Sequence, residues 1–327
     1  LIKRCIYRYE QMSRILIIGA GCWGTALATV LAKNHRVFLW ARDKKIVDEI
    51  NSKHTNSKYF HKEKLNKKIT SFSGIIESSR FDFIFYVLPA KFFSDFCNKY
   101  LVKQKIKNFV ICSKGIDSSG LLLSNISKKI LSVSDLYILS GPSFAHEVFN
   151  QKPTAISIAG KKKVISLGKL FYSSNIRIYY SKNIESLELL GILKNIYAIG
   201  AGIIEGLNLG ENARAAYISR CLSEISYMLE ANNFNPKNIL TLGGIGDLLL
   251  TCSSKNSRNY LYGYNFIKKK SNASKTIEGI NSISCIKRNF LISLKYLPIL
   301  KTVINIVKGK EPNKEIKLLL NRKFKFE

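Results

Sequence analysis

The sequence predicts an α/β protein. A Rossmann-like dinucleotide-binding domain is expected over residues 12–184 and an all-helical catalytic and substrate domain over 185–327. Three observations carry this. A short apolar run, Arg14 to Ile18, leads directly into the glycine-rich GAGCWG and then into the helix-forming TALATVLAK. Short apolar runs of strand length recur as far as residue 180. After Asn183 they stop, and Glu185 to Glu205 follows, apolar around almost its whole circumference, as a buried helix must be.

Composition narrows the classes. A length of 327 residues favours two domains. No apolar run looks long enough to span a bilayer, so no membrane insertion is expected. The first eleven residues, LIKRCIYRYEQ, lack the apolar core of a signal peptide. Met12 is the more natural start, and residues 1–11 are expected to be an upstream extension without a structural role. Cys5, Cys22, Cys97, Cys112, Cys221, Cys252 and Cys285 are scattered with no C-x-x-C pair, which reads as reduced thiols in a cytoplasmic protein. His35, His54, His61 and His146 form no ligand motif, so no metal is expected. The net charge of +30 raises a nucleic-acid partner. The lysines are spread along the chain, and no DNA- or RNA-reading motif accompanies them. The charge therefore reads as solvated surface.

In the amino-terminal part, Gly19 permits the tight turn, Gly21 lets backbone approach a pyrophosphate and Gly24 lets the helix pack closely. The helix amino terminus then favours phosphate charge. The next strand, 37–40, is followed by Arg42 and Asp43. An acidic residue there holds a ribose hydroxyl and an arginine accepts a 2′-phosphate, so NADH and NADPH both stay open. Residues 43–70 read as helix and loop. FDFIFYVLP (81–89), FVICSKG (109–115) and LYILSGPSF (136–144) read as strands, and AISIAG (155–160) and IRIYY (176–180) as further strands closing the sheet. Ligands of open α/β sheets bind beyond the strands' carboxyl ends. Lys114 and Ser143 therefore point to the cofactor crevice, although Lys114 alone could be an ordinary loop lysine.

In the helical part, Lys194 shares a stripe with Gly191, Ala198 and Ala201, small residues that allow a backbone or ligand to approach. Desolvation there would lower its pKa toward a value useful for proton transfer. The bland alternative is a lysine whose head snorkels to water. Residues 211–231 read as an amphipathic second helix, and Pro236 opens a third segment. Gly243, Gly244 and Gly246 form a permissive turn before Asp247, an N-cap candidate with Thr251 one helical turn on. Ser257, Arg258 and Asn259 read as a polar loop suited to phosphate, and 296–309 as a final apolar helix.

Taken together, GAGCWGTALA, LWARD, SKGI, LSGPSFAHEV, KPTA, LKNIYAIGAGI, GENARAA, GGIGDLLLTC, SRN and IEG resemble, in order, the bacterial NAD(P)-dependent glycerol-3-phosphate dehydrogenases. The resemblance covers nearly the whole chain from Met12. It implies reversible reduction of dihydroxyacetone phosphate to sn-glycerol 3-phosphate by NAD(P)H, supplying glycerophospholipid synthesis. It implies Lys194 as proton donor and acceptor, Asp247 as the carboxylate beside it, and Asn195 and Thr251 as polar neighbours. Lys114, Gly141, Ser143, Ser257, Arg258 and Asn259 match substrate contacts. Gly19, Gly21, Cys22, Trp23, Gly24, Arg42, Lys114, Ala145, Arg258 and Glu278 match cofactor positions. The implied partners are a small phosphate substrate and the dinucleotide, with a homodimer as one open assembly. Cys22 departs from the family's usual serine, which removes a side-chain hydroxyl there and leaves the backbone contacts. The loop KNHRV looks about a residue short, which bears on whether Arg42 or Asp43 faces the cofactor. Another two-domain dehydrogenase, a nucleic-acid-binding protein and a catalytically dead relative are the competing readings.

Overall fold

The computed structural model describes residues 12–61, 63–161, 163–271, 276–286, 290 and 293–322. The expected extension at 1–11, with Cys5, lies outside them. Eight strands form one sheet: β1 (Arg14–Ile18), β2 (Arg36–Trp40), β3 (Ile69–Phe72), β4 (Phe83–Tyr86), β5 (Lys105–Ile111), β6 (Ser132–Ser140), β7 (Thr154–Gly160) and β8 (Ile176–Ser181), in the order β3-β2-β1-β4-β5-β6-β7-β8. β3 to β6 run parallel, β7 is antiparallel to β6, and β8 is parallel to β7.

β1 shows why this sequence makes a central strand. Its side chains alternate faces. Ile15 and Ile17 join the core on one face of the sheet, while Leu16 and Ile18 join the core on the other. A strand buried on both sides reads as a continuous apolar run, which is what RILII is.

Seven helices precede or flank the later strands: α1 (Cys22–Leu31), α2 (Lys44–Lys53), α3 (Ser57–Phe60), α4 (Phe93–Tyr100), α5 (Leu123–Ile130), α6 (Ala145–Phe149) and α7 (Val164–Lys169). Among the described residues after β8 the regular elements are helical: α8 (Ile184–Gly206), α9 (Gly210–Ala231), α10 (Asp247–Cys252), α11 (Arg258–Ile267), α12 (Glu278–Cys285), α13 (Pro298–Val307) and α14 (Pro312–Leu320). α8 is the axis of this part, and residues of α9 to α13 join it in one apolar core.

The structure departs from the sequence reading in several places. β3 begins at Ile69, at the end of the stretch 43–70 read as helix and loop. α14 follows the helix read as final; Glu311 caps it, accepting from the amides of Asn313 and Lys314. Of the residues read as a polar loop, Ser257 stays outside as the N-cap, its hydroxyl accepting from the Tyr260 amide, while Arg258 and Asn259 begin a helix. Finally, α8 is long and apolar enough, by length and composition, to cross a bilayer. Glu188 and Lys194 interrupt it and made the run look short. Its apolar window lies wholly inside the protein, where it is the core helix.

Candidate functional site

Four strand ends open on one crevice. After β1 comes the glycine loop, after β4 Leu88 to Ala90, after β5 Ser113 to Gly115, and after β6 Gly141 to Ser143. The middle of α8 lies against these ends: Asn195 Nδ2 donates to the Lys114 carbonyl at 2.8 Å. Gly191 faces the same lysine: a Cβ there would sit in ordinary contact, 3.5 Å, with the Lys114 side chain and Ser140 Oγ. The small-residue stripe expected around Lys194 thus lies beside a second lysine.

At the centre, Asp247 bridges two lysines. Its Oδ1 lies 3.1 Å from Lys194 Nζ and its Oδ2 2.7 Å from Lys114 Nζ. Lys114 also donates to the Gly141 carbonyl at 2.7 Å, and Ser143 Oγ donates to that carbonyl at 3.0 Å. Lys194 donates to Thr251 Oγ1 at 3.0 Å, and the Thr251 hydroxyl donates in turn to the Asp247 carbonyl at 2.6 Å. Asp247 therefore does not cap its helix. The N-cap position of α10 is Gly246, and the carboxylate turns to the lysines.

The cluster is nearly closed to water, with the Asp247 side chain 2% exposed and that of Lys194 11%. Burial pulls the Lys194 pKa down from 10.5 to about 8, Asp247 opposing this and Lys114 adding to it. That difference is a cost of about 3 kcal/mol for keeping Lys194 charged at neutral pH. Burial pushes the Asp247 carboxyl up, but Lys114 and Lys194 together outweigh it and hold the group below its ordinary value. Two cations share one anion, so the cluster keeps a net positive charge.

A second layer fixes this one. Asn259, near the start of α11, donates through Nδ2 to Asn195 Oδ1 at 2.8 Å and accepts the Gly279 amide at 3.0 Å. Glu278, the residue before Gly279, accepts the Ala90 amide at 3.3 Å. α11 can reach α8 because glycines cross. A Cβ on Gly202 would collide with the Tyr260 carbonyl, and a Cβ on Gly263 with the Ile199 carbonyl. The two backbones touch, and this sets Arg258 and Asn259 against the crevice. Gly202 and Gly263 are functional positions the sequence reading missed. A glycine inside each helical run is the available signal.

Cys22, Trp23, Arg42 and Ala145 sit apart from the lysine cluster, at the start of α1, the end of β2 and the start of α6. Arg258, on α11, links the two zones. Its charge bears on both the Cys22 thiol and the Glu278 carboxylate. Burial raises both groups, and Arg258 opposes the rise in each.

The crevice fits a dinucleotide. Gly19 has φ +121°, and a Cβ on Gly24 would drive into the Gly19 carbonyl, so both glycines serve the fold. Gly21 has neither constraint: its φ is −79°, and a Cβ there would meet nothing within 4 Å. Its glycine leaves open space in front of the loop. Glu278 Oε2 is buried with no partner among the described residues, beside Gly115. A buried acceptor costs free energy unless something donates to it, as a donor group on a ligand in the crevice would.

Residues 14–165 match the family model of the NAD-dependent glycerol-3-phosphate dehydrogenase N-terminus, and residues 183–317 match that of its C-terminus. The chain belongs to the NAD-dependent glycerol-3-phosphate dehydrogenase family. It is 34% identical over 298 residues to a glycerol-3-phosphate dehydrogenase (NAD(P)+) of Neorickettsia sennetsu, covering 85% of this chain and 88% of that one. It is 31% identical over 327 residues to the Zymomonas mobilis protein of the same name, with 97% and 96% covered. The crystal structure of glycerol-3-phosphate dehydrogenase from Coxiella burnetii superimposes with a TM-score of 0.84 at 28% identity, over 95% of this chain and 99% of that one. As a glycerol-3-phosphate dehydrogenase family member the chain is an NAD(P)-dependent oxidoreductase acting on a CH–OH group.

Proposed function

We propose that this chain reduces dihydroxyacetone phosphate to sn-glycerol 3-phosphate, reversibly, and so supplies glycerophospholipid synthesis. The observation that carries the chemistry is Lys194, buried and held by Asp247 and Thr251, with a pKa near 8. When bound, the reduced nicotinamide supplies a hydride to the substrate carbonyl carbon. The oxygen then gains negative charge and needs a proton. Lys194 has three hydrogens. One meets Asp247 and one Thr251, and the third is the one that reaches the substrate oxygen. Lys114 adds a second positive charge, which stabilises the developing alkoxide most strongly where water is excluded.

The substrate phosphate is assigned to the amino terminus of α11, with Arg258 as its fork and Ser257 and Asn259 beside it. Arg258→Ala is expected to raise KM for dihydroxyacetone phosphate between about tenfold and a hundredfold, the range for losing a charge-assisted pair of hydrogen bonds. Steady-state kinetics at saturating cofactor measures this, and an unchanged KM would remove Arg258 from the phosphate site.

The end of β2 favours NADPH. Asp43 caps α2, its Oδ1 accepting the Lys45 amide at 3.0 Å. One oxygen of that carboxylate is engaged by its own helix, and the basic Arg42, Lys44 and Lys45 around it are exposed, a positive setting for a 2′-phosphate. Arg42→Ala should weaken NADPH at least about tenfold and NADH less than about twofold. Titrating both dinucleotides by fluorescence tests it. Equal losses for both would mean that Arg42 does not read the 2′-phosphate. The decisive experiment for the reaction is NAD(P)H oxidation with dihydroxyacetone phosphate, followed at 340 nm. A folded protein that binds cofactor but does not turn over would redirect the search to another phosphorylated carbonyl substrate.

A further inference from the structure

No side chain of α1 caps the glycine loop: the helix begins at Cys22, and the N-cap position, Gly21, has no side chain with which to cap. The Thr25 amide donates to the Gly21 carbonyl at 2.9 Å and the Gly19 amide to the Trp40 carbonyl at 3.0 Å, which leaves the Ala20 carbonyl to another partner. That partner is Asn56, which is completely buried. Its Nδ2 donates to the Ala20 carbonyl at 3.0 Å and to Thr25 Oγ1 at 2.9 Å. Ala20 lies between Gly19 and Gly21, and Thr25 follows Gly24. One primary amide therefore ties together the two ends of G-x-G-x-x-G.

Asn56 gives up other bonds to do this. It stands at the N-cap position of α3, where an asparagine normally accepts its own helix's amides. Here the side chain makes no such bond, and its Oδ1 is buried without a partner among the described residues. The segment around it is braced on both sides. Glu49 Oε1 accepts the Thr55 hydroxyl and the Ser57 amide, each at 2.7 Å. The Phe60 ring stacks on Phe149 of α6 with centroids 3.9 Å apart.

The consequence is geometric. A trans peptide is planar, and its C=O and N–H point in opposite directions. A bond that holds the Ala20 carbonyl toward Asn56 turns the Gly21 N–H the other way. The same loop leaves room for a ligand, since a Cβ on Gly21 would meet nothing within 4 Å. We propose that Asn56 is a positioning residue for the dinucleotide: by fixing the Ala20–Gly21 peptide it presents the Gly21 amide to the pyrophosphate. The proposal rests on the glycine loop being the dinucleotide site.

The test is a fluorescence titration of NADPH and of NADH against wild type, Asn56→Ala and Asn56→Asp, with kcat and the KM for dihydroxyacetone phosphate at saturating cofactor and a thermal melt. Asn56→Ala should raise Kd for both dinucleotides about tenfold and in parallel, because the pyrophosphate is common to them. kcat at saturation and KM for dihydroxyacetone phosphate should stay within about twofold. Asn56→Asp should bind more weakly still, since it adds negative charge behind the pyrophosphate, and added salt should narrow the gap. A lowered melting temperature with unchanged Kd would overturn the proposal in favour of a purely structural asparagine. If Asn56→Ala does not fold, Thr25→Val keeps the volume and removes one of the two acceptors. It should raise both Kd values about threefold, and an unchanged Kd there would also overturn it. Wild type that binds neither dinucleotide would instead sink the cofactor site itself.

Discussion

Lys194→Ala is expected to lower kcat by about three orders of magnitude while leaving the Kd of the dinucleotide within about twofold. The asymmetry follows from where the side chain sits. Lys194 contacts Asp247 and Thr251 on α10 and nothing in the glycine loop. The same argument fixes a pH profile. A proton donor must arrive protonated, so reduction of the ketone should slow as pH rises through about 8, the value set by burial and opposed by Asp247. Oxidation of the alcohol needs the neutral amine and should quicken through the same value. In Lys194→Ala both limbs should vanish from the residual rate. A descending limb that survives near 8 in the variant would assign the proton to another group. A dinucleotide Kd that rises with the loss of rate would make Lys194 a binding residue instead.

The parts of this site that could be read in the sequence are those whose evidence is local. GAGCWG follows its strand and opens its helix within a few residues. Lys194 stands out because the run around it is apolar on every side and its own stripe is small. Neither depends on a distant partner. Asp247 shows the opposite case. Beside a glycine-rich turn it has the local chemistry of an N-cap. Only Lys114, 133 positions away, turns the carboxylate into a bridge. Ser257 to Asn259 read as a loop because their residues are polar, but Ser257 caps α11 and Arg258 and Asn259 are its first turn, a helix that rests on the Ile199 carbonyl through Gly263. β3 is four residues at the sheet edge, where Ile69 and Ser71 are the buried pair, and so short an alternation carries little signal. Asn56 lies in a polar stretch with nothing to distinguish it, since its value comes entirely from the carbonyl it meets.

Asp247→Asn should be nearly as damaging to turnover as loss of the lysine, and for a different reason. The carboxylate pairs with two ammonium groups in a nearly closed site. Replacing it by a neutral amide leaves both cations buried without compensation, and breaking a buried ion pair from one side costs about 3–5 kcal/mol. Two measurements separate the electrostatic role from simple loss of stability. In the reduction direction the limb near pH 8 should move to lower pH, because Asp247 raises the Lys194 pKa while burial and Lys114 lower it. In thermal melts against pH, wild type should lose a component of stability under acid that the variant lacks. The sign follows from the Asp247 pKa, which the two lysines hold below its ordinary value despite burial. A depressed carboxylate contributes stability above its unfolded pKa, about 4, and loses it as pH falls through the lower folded value. The variant should therefore be less stable than wild type at neutral pH, and the gap should close only below about pH 4. A variant whose limb stays near 8 would retain Lys194's pKa without Asp247. The two lysines would then have to be kept apart by something other than the charge between them.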